Sequence, residues 1–265
     1  MKLAVAGKGG VGKTFVSATL SRQLSRDGYS VLAVDADPNL NLAYSLGVGF
    51  EEANKIIPLS DNKELIEERT GVKSGEALGG IFNMNPRVDD IVDRYGVVAP
   101  DGVRLLVMGT VRAGGTGCMC GANALLRVLL QHMLIQRGEV LVMDMVAGLE
   151  HLGRGTARRM DAMLVVLEPR MKSVDTVGRM LRLAKDIEVG EVLAVGNKVS
   201  KPGEAEFIET HMEEMGVPVL THIPFDEAVG EADMLGVPAI DHNPESPAVK
   251  AVEQLRNKLL AIFSS

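Results

Sequence analysis

The sequence is poor in aromatic and basic residues. It contains no tryptophan, aromatic residues make up 3% of its 265 residues, and 28 lysines and arginines stand against 35 acidic residues. The net charge of -7 provides no basic field for a phosphate backbone, and few rings are available to stack on bases. These shortages argue against a nucleic-acid partner. With 46% hydrophobic residues and so few rings, the core must be mainly aliphatic.

Long apolar runs are also missing. No stretch approaches the roughly 18 residues that cross a bilayer. At residues 1–10, a short apolar run is followed directly by glycines, and the apolar region and cleavage site of a secretory signal are missing. We therefore expect a cytoplasmic protein without stable membrane insertion. Its two cysteines would then favour a metal site or free thiols over a disulfide.

Short apolar runs of strand length alternate with helical patterns along most of the chain. The runs lie at residues 2–7, 30–37, 103–109, 139–145, 162–169, 192–197 and 217–224. They are apolar on both faces, as strands covered on both sides must be. The alternation predicts an α/β fold with a mostly parallel sheet and helices on both faces. We expect one domain over residues 1–265, with an insertion around residues 50–100, where charged segments interrupt the pattern.

A glycine-rich segment at residues 7–14, GKGGVGKT, matches the phosphate-loop pattern G-x-x-x-x-G-K-[ST] between a predicted strand and a predicted helix. The amides of such a loop and the helix N-terminus bind phosphate oxygens. Lys13 should contact the β- and γ-phosphates of ATP, and Thr14 should place its hydroxyl on Mg²⁺. The predicted nucleotide-binding residues here are Gly9, Gly10, Val11, Gly12, Lys13, Thr14 and Phe15.

Carboxylates follow two of the predicted strands. Asp35 and Asp37 lie at the end of the second run, and Asp144 lies near the end of the run at 139–145. Open α/β sheets bind ligands at the carboxyl ends of their strands. Neighbouring carboxylates beside a phosphate suit a cation, or one of them can orient the attacking water. Asp144 matches the aspartate of a Walker B segment, although any of these residues could instead cap the following segment.

Lys8 is a second lysine that the basic phosphate-loop pattern does not require. With it, the sequence resembles the deviant Walker A ATPases, a family that includes the septum-positioning ATPase MinD, the ParA-type partition ATPases and the nitrogenase iron protein. The resemblance implies a homodimer in which Lys8 reaches the partner's nucleotide and acts in catalysis with Lys13. It also implies that Asp37 orients the attacking water and that Asp35 and Asp144 belong to the Mg²⁺ site. An exposed loop lysine is the alternative for Lys8.

Two further matches to this family concern the adenine base. Asn197, in VGNKV, resembles the adenine-contacting asparagine of the family. The segment at residues 222–238 resembles the family's closing loop, which implies that Pro224, Phe225 and Asp226 line the adenine pocket. Asparagine and proline are also ordinary turn residues.

The two cysteines, Cys118 and Cys120, stand one residue apart in a glycine-rich loop before an apolar helical pattern. Two thiolates at this spacing can contact one metal ion, but a four-coordinate Ni²⁺ or Zn²⁺ site needs more donors than this loop offers. A two-fold dimer would bring four sulfurs together. The cysteines could instead be small apolar residues at a helix start.

The cysteine pair, with the segments at residues 56–71 and 144–157, resembles the CooC-type ATPases over essentially the whole chain. These are nickel-insertion accessory proteins of carbon monoxide dehydrogenase, related to AcsF of acetyl-CoA synthase maturation. The resemblance implies an ATP-dependent metallochaperone with one of these two enzymes as its client. Phe15 departs from the threonine that usually follows the phosphate-loop threonine, which should affect helix packing rather than Mg²⁺.

Two other functions stay open at this point. A MinD- or ParA-like positioning ATPase would need a membrane or DNA surface, and the apolar stripe at residues 247–265 could lie on a membrane if it does not pack on the sheet. A redox reductase like the nitrogenase iron protein would also join a dimer through cysteines. In that protein the cysteines lie far apart in sequence, unlike Cys118 and Cys120.

Overall fold

The computed structural model describes residues 1–37, 40–72, 83–109, 120–135, 139–145, 160–187 and 189–263. Its strands are Lys2–Gly7 (β1), Val31–Asp35 (β2), Val97–Val98 (β3), Arg104–Val107 (β4), Val140–Asp144 (β5), Ala162–Leu167 (β6), Glu191–Val199 (β7) and Val219–Pro224 (β8). They form one sheet in the order β3-β4-β2-β5-β1-β6-β7-β8. Neighbours are parallel except at one edge, where β3 runs antiparallel to β4. The predicted mostly parallel α/β sheet is confirmed.

The α-helices among the described residues are Lys13–Arg26 (α1), Asn41–Leu46 (α2), Phe50–Ala53 (α3), Lys63–Thr70 (α4), Ile91–Tyr95 (α5), Cys120–Ile135 (α6), Met171–Ile187 (α7), Pro202–Glu214 (α8), Glu227–Leu235 (α9), Ala239–His242 (α10) and Pro247–Phe263 (α11). Short 3-10 turns lie at Leu59–Asp61 and Pro100–Gly102.

Helices bury apolar side chains against both faces of the sheet. One core contains Leu125 and Leu129 of α6 together with side chains of α7 and α8, and the other contains Leu20 of α1 and Leu255 of α11. Such two-sided cover explains why the central strands are apolar at successive positions between their ends. The helices on both faces that the sequence predicts are confirmed.

Residues 50–72 and 83–98 lie near the β4 edge of the sheet. Here α4 packs against α6, with Leu65 fully buried, and β3 adds two residues beside β4. Val97 and Val98 form too short a run to be recognised as a strand in the sequence. This segment therefore covers one face near the edge and extends the sheet by one short strand.

The apolar stripe of α11 is buried. Val252, Leu255 and Leu259 have no exposed surface, and the helix packs against β8 and α1. A lysine of the same helix, Lys258, donates from its ammonium group to the backbone carbonyl of Leu220 in β8. Packing on the sheet, one of the two interpretations of this stripe, is therefore what the structure has. Among the described helices, none has both the length and the apolar character needed to cross a membrane.

Strand order places the predicted functional segments at one edge of the sheet. β1 lies between β5 and β6. The chain leaves β1 toward β2 on one side, and it leaves the neighbouring β5 toward β6 on the other side, so these two connections diverge. The carboxyl ends of β2, β5, β7 and β8 lie along the same edge because these strands are parallel to β1. This is the position at which open α/β sheets form ligand crevices.

A buried guanidinium ties α1 to two distant segments. Arg22 is 3% exposed; its Nε donates to Asp101 Oδ2 at 2.7 Å, and its Nη1 donates to Asp241. Arg26, one turn later and 40% exposed, contacts the same two carboxylates. The helix that follows the phosphate loop is thereby joined to the turn at Pro100–Gly102 and to α10.

We expect Arg22→Met to lower the free energy of unfolding by about 3 kcal/mol, because it removes the buried partner of two carboxylates. Arg26→Met should cost less than about 1 kcal/mol, since that side chain is partly solvated. Urea unfolding followed by circular dichroism measures both. Equal losses in the two variants would contradict the assignment of the buried arginine as the centre of the cluster.

Candidate nucleotide site

The phosphate loop connects β1 to α1 and depends on glycine at two close approaches. Gly12 has φ 94°, and a Cβ added there would lie 2.2 Å from Nδ2 of Asn197. A Cβ on Gly7 would lie 2.4 Å from the carbonyl oxygen of Val166 in β6. Any larger residue would therefore push the loop away from β6 and β7. Gly9 and Gly10 are exposed, with their backbone open to a ligand.

Positive charge collects at this loop. The Lys13 ammonium donates to the carbonyl oxygen of Lys8 at 3.3 Å, so it lies over the loop. Lys8 is exposed at the start of the loop, while Thr14 and Phe15 are half-buried in the first turn of α1. Within the described residues no side chain caps the N-terminus of α1, which leaves its first N–H groups for an anion. The loop therefore has the charge and the donors of a phosphate site.

Two buried carboxylates lie beside the loop. Asp144, at the end of β5, accepts a hydrogen bond on Oδ2 from the Thr14 hydroxyl at 2.7 Å. Asp35, at the end of β2, is fully buried and accepts backbone N–H groups from Asp37 at 2.9 Å and from Leu42 at 3.2 Å. β2 and β5 are neighbours, and Asp35 pairs with Asp144 in their register. The sequence-predicted cation residues Thr14, Asp35 and Asp144 are thus brought together.

Both carboxyl groups have strongly raised pKa values. Burial raises the pKa of Asp35 to about 7, and repulsion from Asp144 adds to this effect. Burial likewise raises the pKa of Asp144 to about 6, with a further contribution from the charge of Asp37. The Thr14 hydrogen bond and the Lys13 charge act on Asp144 in the opposite direction. Two carboxylates that are costly to ionise side by side call for a cation.

The donor set fits Mg²⁺. Oδ1 of Asp144 is buried, and no hydrogen-bond partner for it lies among the described residues. A hard divalent cation prefers carboxylate and hydroxyl oxygens and retains waters beside a phosphate. Thr14 and Asp144 would bind the ion directly. Asp35, held by the backbone N–H groups of Asp37 and Leu42, would add negative charge next to it. Bound there, Mg²⁺ would neutralise charge on the transferring phosphoryl group.

Other predicted residues lie at the same edge. Asp37 lies two residues after Asp35 and is half-buried, which places it near the predicted cation site. Its role in orienting the attacking water stays a prediction. Pro224 ends β8, and Phe225 is 58% exposed beyond it. Asp226 caps α9, with its carboxylate accepting from the backbone N–H groups of Ala228 and Ala248. Contact of these last three residues with adenine stays a prediction.

Asn197 faces the phosphate loop from the end of β7. Its amide Nδ2 donates to the Val11 carbonyl at 2.7 Å, and the residue is 4% exposed. The next residue, which the sequence analysis did not select, also reaches this loop: the Lys198 ammonium donates to the Gly10 carbonyl at 2.7 Å. The only sequence signal was a second polar residue after Asn197 in VGNKV. The contact of Asn197 with the phosphate loop is observed, whereas its contact with adenine stays a prediction.

Several predicted features lie outside the described residues. They include Cys118 and the segment of residues 146–159; Cys120 begins α6, but its side chain is not among those described. The described residues contain no group of three metal-ligating side chains. Since the cysteine loop is not among them, the predicted Ni²⁺ or Zn²⁺ site stays a prediction.

Comparison with known proteins agrees with this geometry. A family model of the CobQ/CobB/MinD/ParA nucleotide binding domain matches residues 2–239. An uncharacterized ATP-binding protein of Methanocaldococcus jannaschii is 44% identical over 262 residues, which are 99% of this chain and 98% of that protein. The carbon monoxide dehydrogenase accessory protein CooC of Rhodospirillum rubrum is 41% identical over 244 residues, or 92% and 91% of the two chains. The crystal structure of the cell division ATPase MinD of Pyrococcus furiosus superposes with a TM-score of 0.67 at 25% identity and covers 98% of this chain and 99% of its own.

Removing the Asp144 charge should change how stability depends on pH. Its folded-state pKa of about 6 lies above the ordinary 3.8, so the Mg²⁺-free wild-type protein loses stability as the pH rises through this range. Asp144→Asn carries no charge at this position and avoids the loss. The free energy of unfolding of the variant minus that of wild type should therefore rise by about 1 kcal/mol from pH 5 to pH 8.

Urea unfolding at several pH values in EDTA measures this difference. Asp89→Asn is the control, because the Arg87 contact lowers the pKa of that exposed carboxyl and it is ionised throughout the range. A pH-independent difference for Asp144→Asn would contradict the buried-charge assignment.

Proposed function

Because the chain belongs to the CobQ/CobB/MinD/ParA nucleotide-binding family and is a P-loop ATPase, we propose that it assists nickel insertion into carbon monoxide dehydrogenase or acetyl-CoA synthase. The observation that carries this proposal is the 41% identity to the CooC accessory protein over 92% of the chain. It agrees with the resemblance that rests on Cys118, Cys120 and the segments around them. Carbon monoxide dehydrogenase is the first client to test, since that relative is named as its accessory protein.

The nucleotide half of the function rests on the described site. Lys13 and the amides at the start of α1 bind the phosphates, and Thr14 with Asp144 holds Mg²⁺. Asp37 orients the attacking water, and the metal ion supplies neutralisation of the developing charge. Lys8, exposed at the rim of the loop, is free to reach a nucleotide on a second copy. Hydrolysis in this scheme depends on a homodimer.

The metal half of the function depends on the same dimer. In a two-fold dimer the two cysteine loops meet and supply four thiolates, which is a complete donor set for one Ni²⁺, or Zn²⁺, treated as cargo. Nucleotide and metal are coupled if each binds one dimer state more tightly than the other. ATP favours the closed dimer that completes the sulfur site, and hydrolysis releases it.

A MinD-like positioning function is the competing interpretation. The likeness to the MinD crystal structure over 98% of the chain favours it. Against it, the apolar stripe of α11 that would lie on a membrane is buried in the protein. A positioning ATPase would also have no need of Cys118 and Cys120, so the cysteines distinguish the two functions.

Anaerobic Ni²⁺ binding tests the metal half. Wild type with a non-hydrolysable ATP analogue should bind one Ni²⁺ per dimer, and the double variant Cys118→Ser/Cys120→Ser should lose at least nine-tenths of it. Met119→Ser, which alters the same loop but keeps both thiols, should bind like wild type. Light scattering gives the mass in parallel. Nickel binding that persists without the cysteines would reject the metallochaperone proposal and favour the positioning ATPase.

Lys8→Gln tests the proposed action across the dimer. It should abolish ATP-dependent dimerisation and lower the turnover number by about a hundredfold, because it removes charge stabilisation of the transition state. ADP affinity of the monomer should change by less than about threefold, since Lys13 remains. Lys172→Gln, at an exposed lysine of α7, should leave all three quantities unchanged. A variant that still dimerises with ATP would contradict the role of Lys8.

A further inference from the structure

Lys198 adopts a backbone conformation that lysine avoids. Its φ is 57°, and among the described non-glycine residues only Asp101, with φ 61°, also lies in the left-handed region. An L side chain is energetically unfavourable in this left-handed region, and glycine would avoid that cost. The side chain is 42% exposed, so it is not needed to fill the core. Some contact of the ammonium group must account for a lysine at this position.

A bulge in β7 aims this side chain. Gly196 pairs with His222 and Val199 pairs with Pro224, so three steps along β7 match two along β8. In a regular strand, Asn197 and Lys198 would point to opposite faces of the sheet. Here both side chains contact the phosphate loop, as expected of a bulge that redirects a side chain next to a functional site.

The ammonium of Lys198 has two acceptors. It donates to the Gly10 carbonyl at 2.7 Å and to Glu168 Oε1 at 2.8 Å. Glu168 follows β6 and is only 15% exposed, so its carboxylate holds the lysine in place from the neighbouring strand. The loop carbonyl is thus joined through one lysine to the ends of both β6 and β7.

These contacts fix which way the loop peptides face. A trans peptide points its C=O and its following N–H in opposite directions. Holding the Gly10 carbonyl toward Lys198 turns the Val11 N–H toward the inside of the loop, where it donates to the Lys8 carbonyl at 3.4 Å. Holding the Val11 carbonyl toward Asn197 does the same for the Gly12 N–H. The carbonyl oxygens of Gly10 and Val11, which would repel phosphate, are thereby kept on the outer side, and the N–H groups of the same two peptides are kept on the inner side.

We propose that Lys198, held by Glu168, is a positioning residue that fixes the phosphate loop in its anion-binding conformation. It does not touch the phosphates itself; it acts through the Gly10–Val11 peptide. This inference deepens the ATPase part of the proposed function and does not depend on nickel.

Lys198→Gly separates this role from a structural one, because glycine relieves the backbone cost while removing the ammonium. The nucleotide-free variant should melt at or above the wild-type temperature, yet bind Mg²⁺-ADP about tenfold more weakly by calorimetry. Lys198→Arg should recover part of the affinity, and Glu168→Gln should weaken it in the same direction. The ADP-induced rise in melting temperature should shrink with the affinity.

Asp101→Gly is the matched control, since Asp101 also has a positive φ but its carboxylate contacts Arg22 and Arg26 instead of the loop. It should lower the melting temperature and leave ADP affinity unchanged. Wild-type affinity in Lys198→Gly, or a loss of affinity only in step with a loss of nucleotide-free stability, would overturn the proposal. If wild type itself failed to bind ADP, the nucleotide site would be wrong, whereas a failure of nickel binding alone would leave this inference standing.

Discussion

The placement of two carboxyl groups in the interior, at the ends of neighbouring strands, constrains the rest of this site. Asp35 and Asp144 face each other in the β2–β5 register and have little access to water. Such a pair is costly to ionise without a cation, and this cost explains the surrounding contacts. Thr14 donates to one carboxylate, two backbone N–H groups donate to the other, and the lysine-bearing loop lies next to them.

Much of this arrangement could be predicted because it is local in sequence. The glycines and lysine at residues 7–14 specify a phosphate loop by their spacing, and strand-ending aspartates are visible as polar breaks after apolar runs. The parallel sheet follows from alternation of strand and helix patterns, and parallel strands necessarily bring their carboxyl ends to one edge. Hence the sequence alone predicts that Thr14, Asp35 and Asp144 lie close together.

What could not be predicted depends on contacts between distant residues or on backbone torsions. Arg22 occupies a helical position where a charged residue would be expected in solvent, and only the fold brings Asp101 and Asp241 to it. The left-handed φ of Lys198 and the extra residue in β7 leave no pattern in a single sequence. The partner of the Asn197 amide is another contact that the sequence does not predict. An asparagine can hydrogen-bond to a base, stabilise a turn or, as here, donate to a loop carbonyl. β3 was missed because two residues carry no periodicity.

The two edges of the sheet have a consequence for how copies of this chain can associate. At one edge β3 offers only two residues for pairing, and at the other a lysine of α11 already occupies a backbone carbonyl of β8. Short edge strands and lysines beside them are known deterrents to strand addition. A continuous intermolecular sheet is therefore a poor route to a dimer. In the proposed dimer, Lys8 would instead place the interface at the loops at the carboxyl ends of the strands, so that assembly and nucleotide chemistry would share one surface.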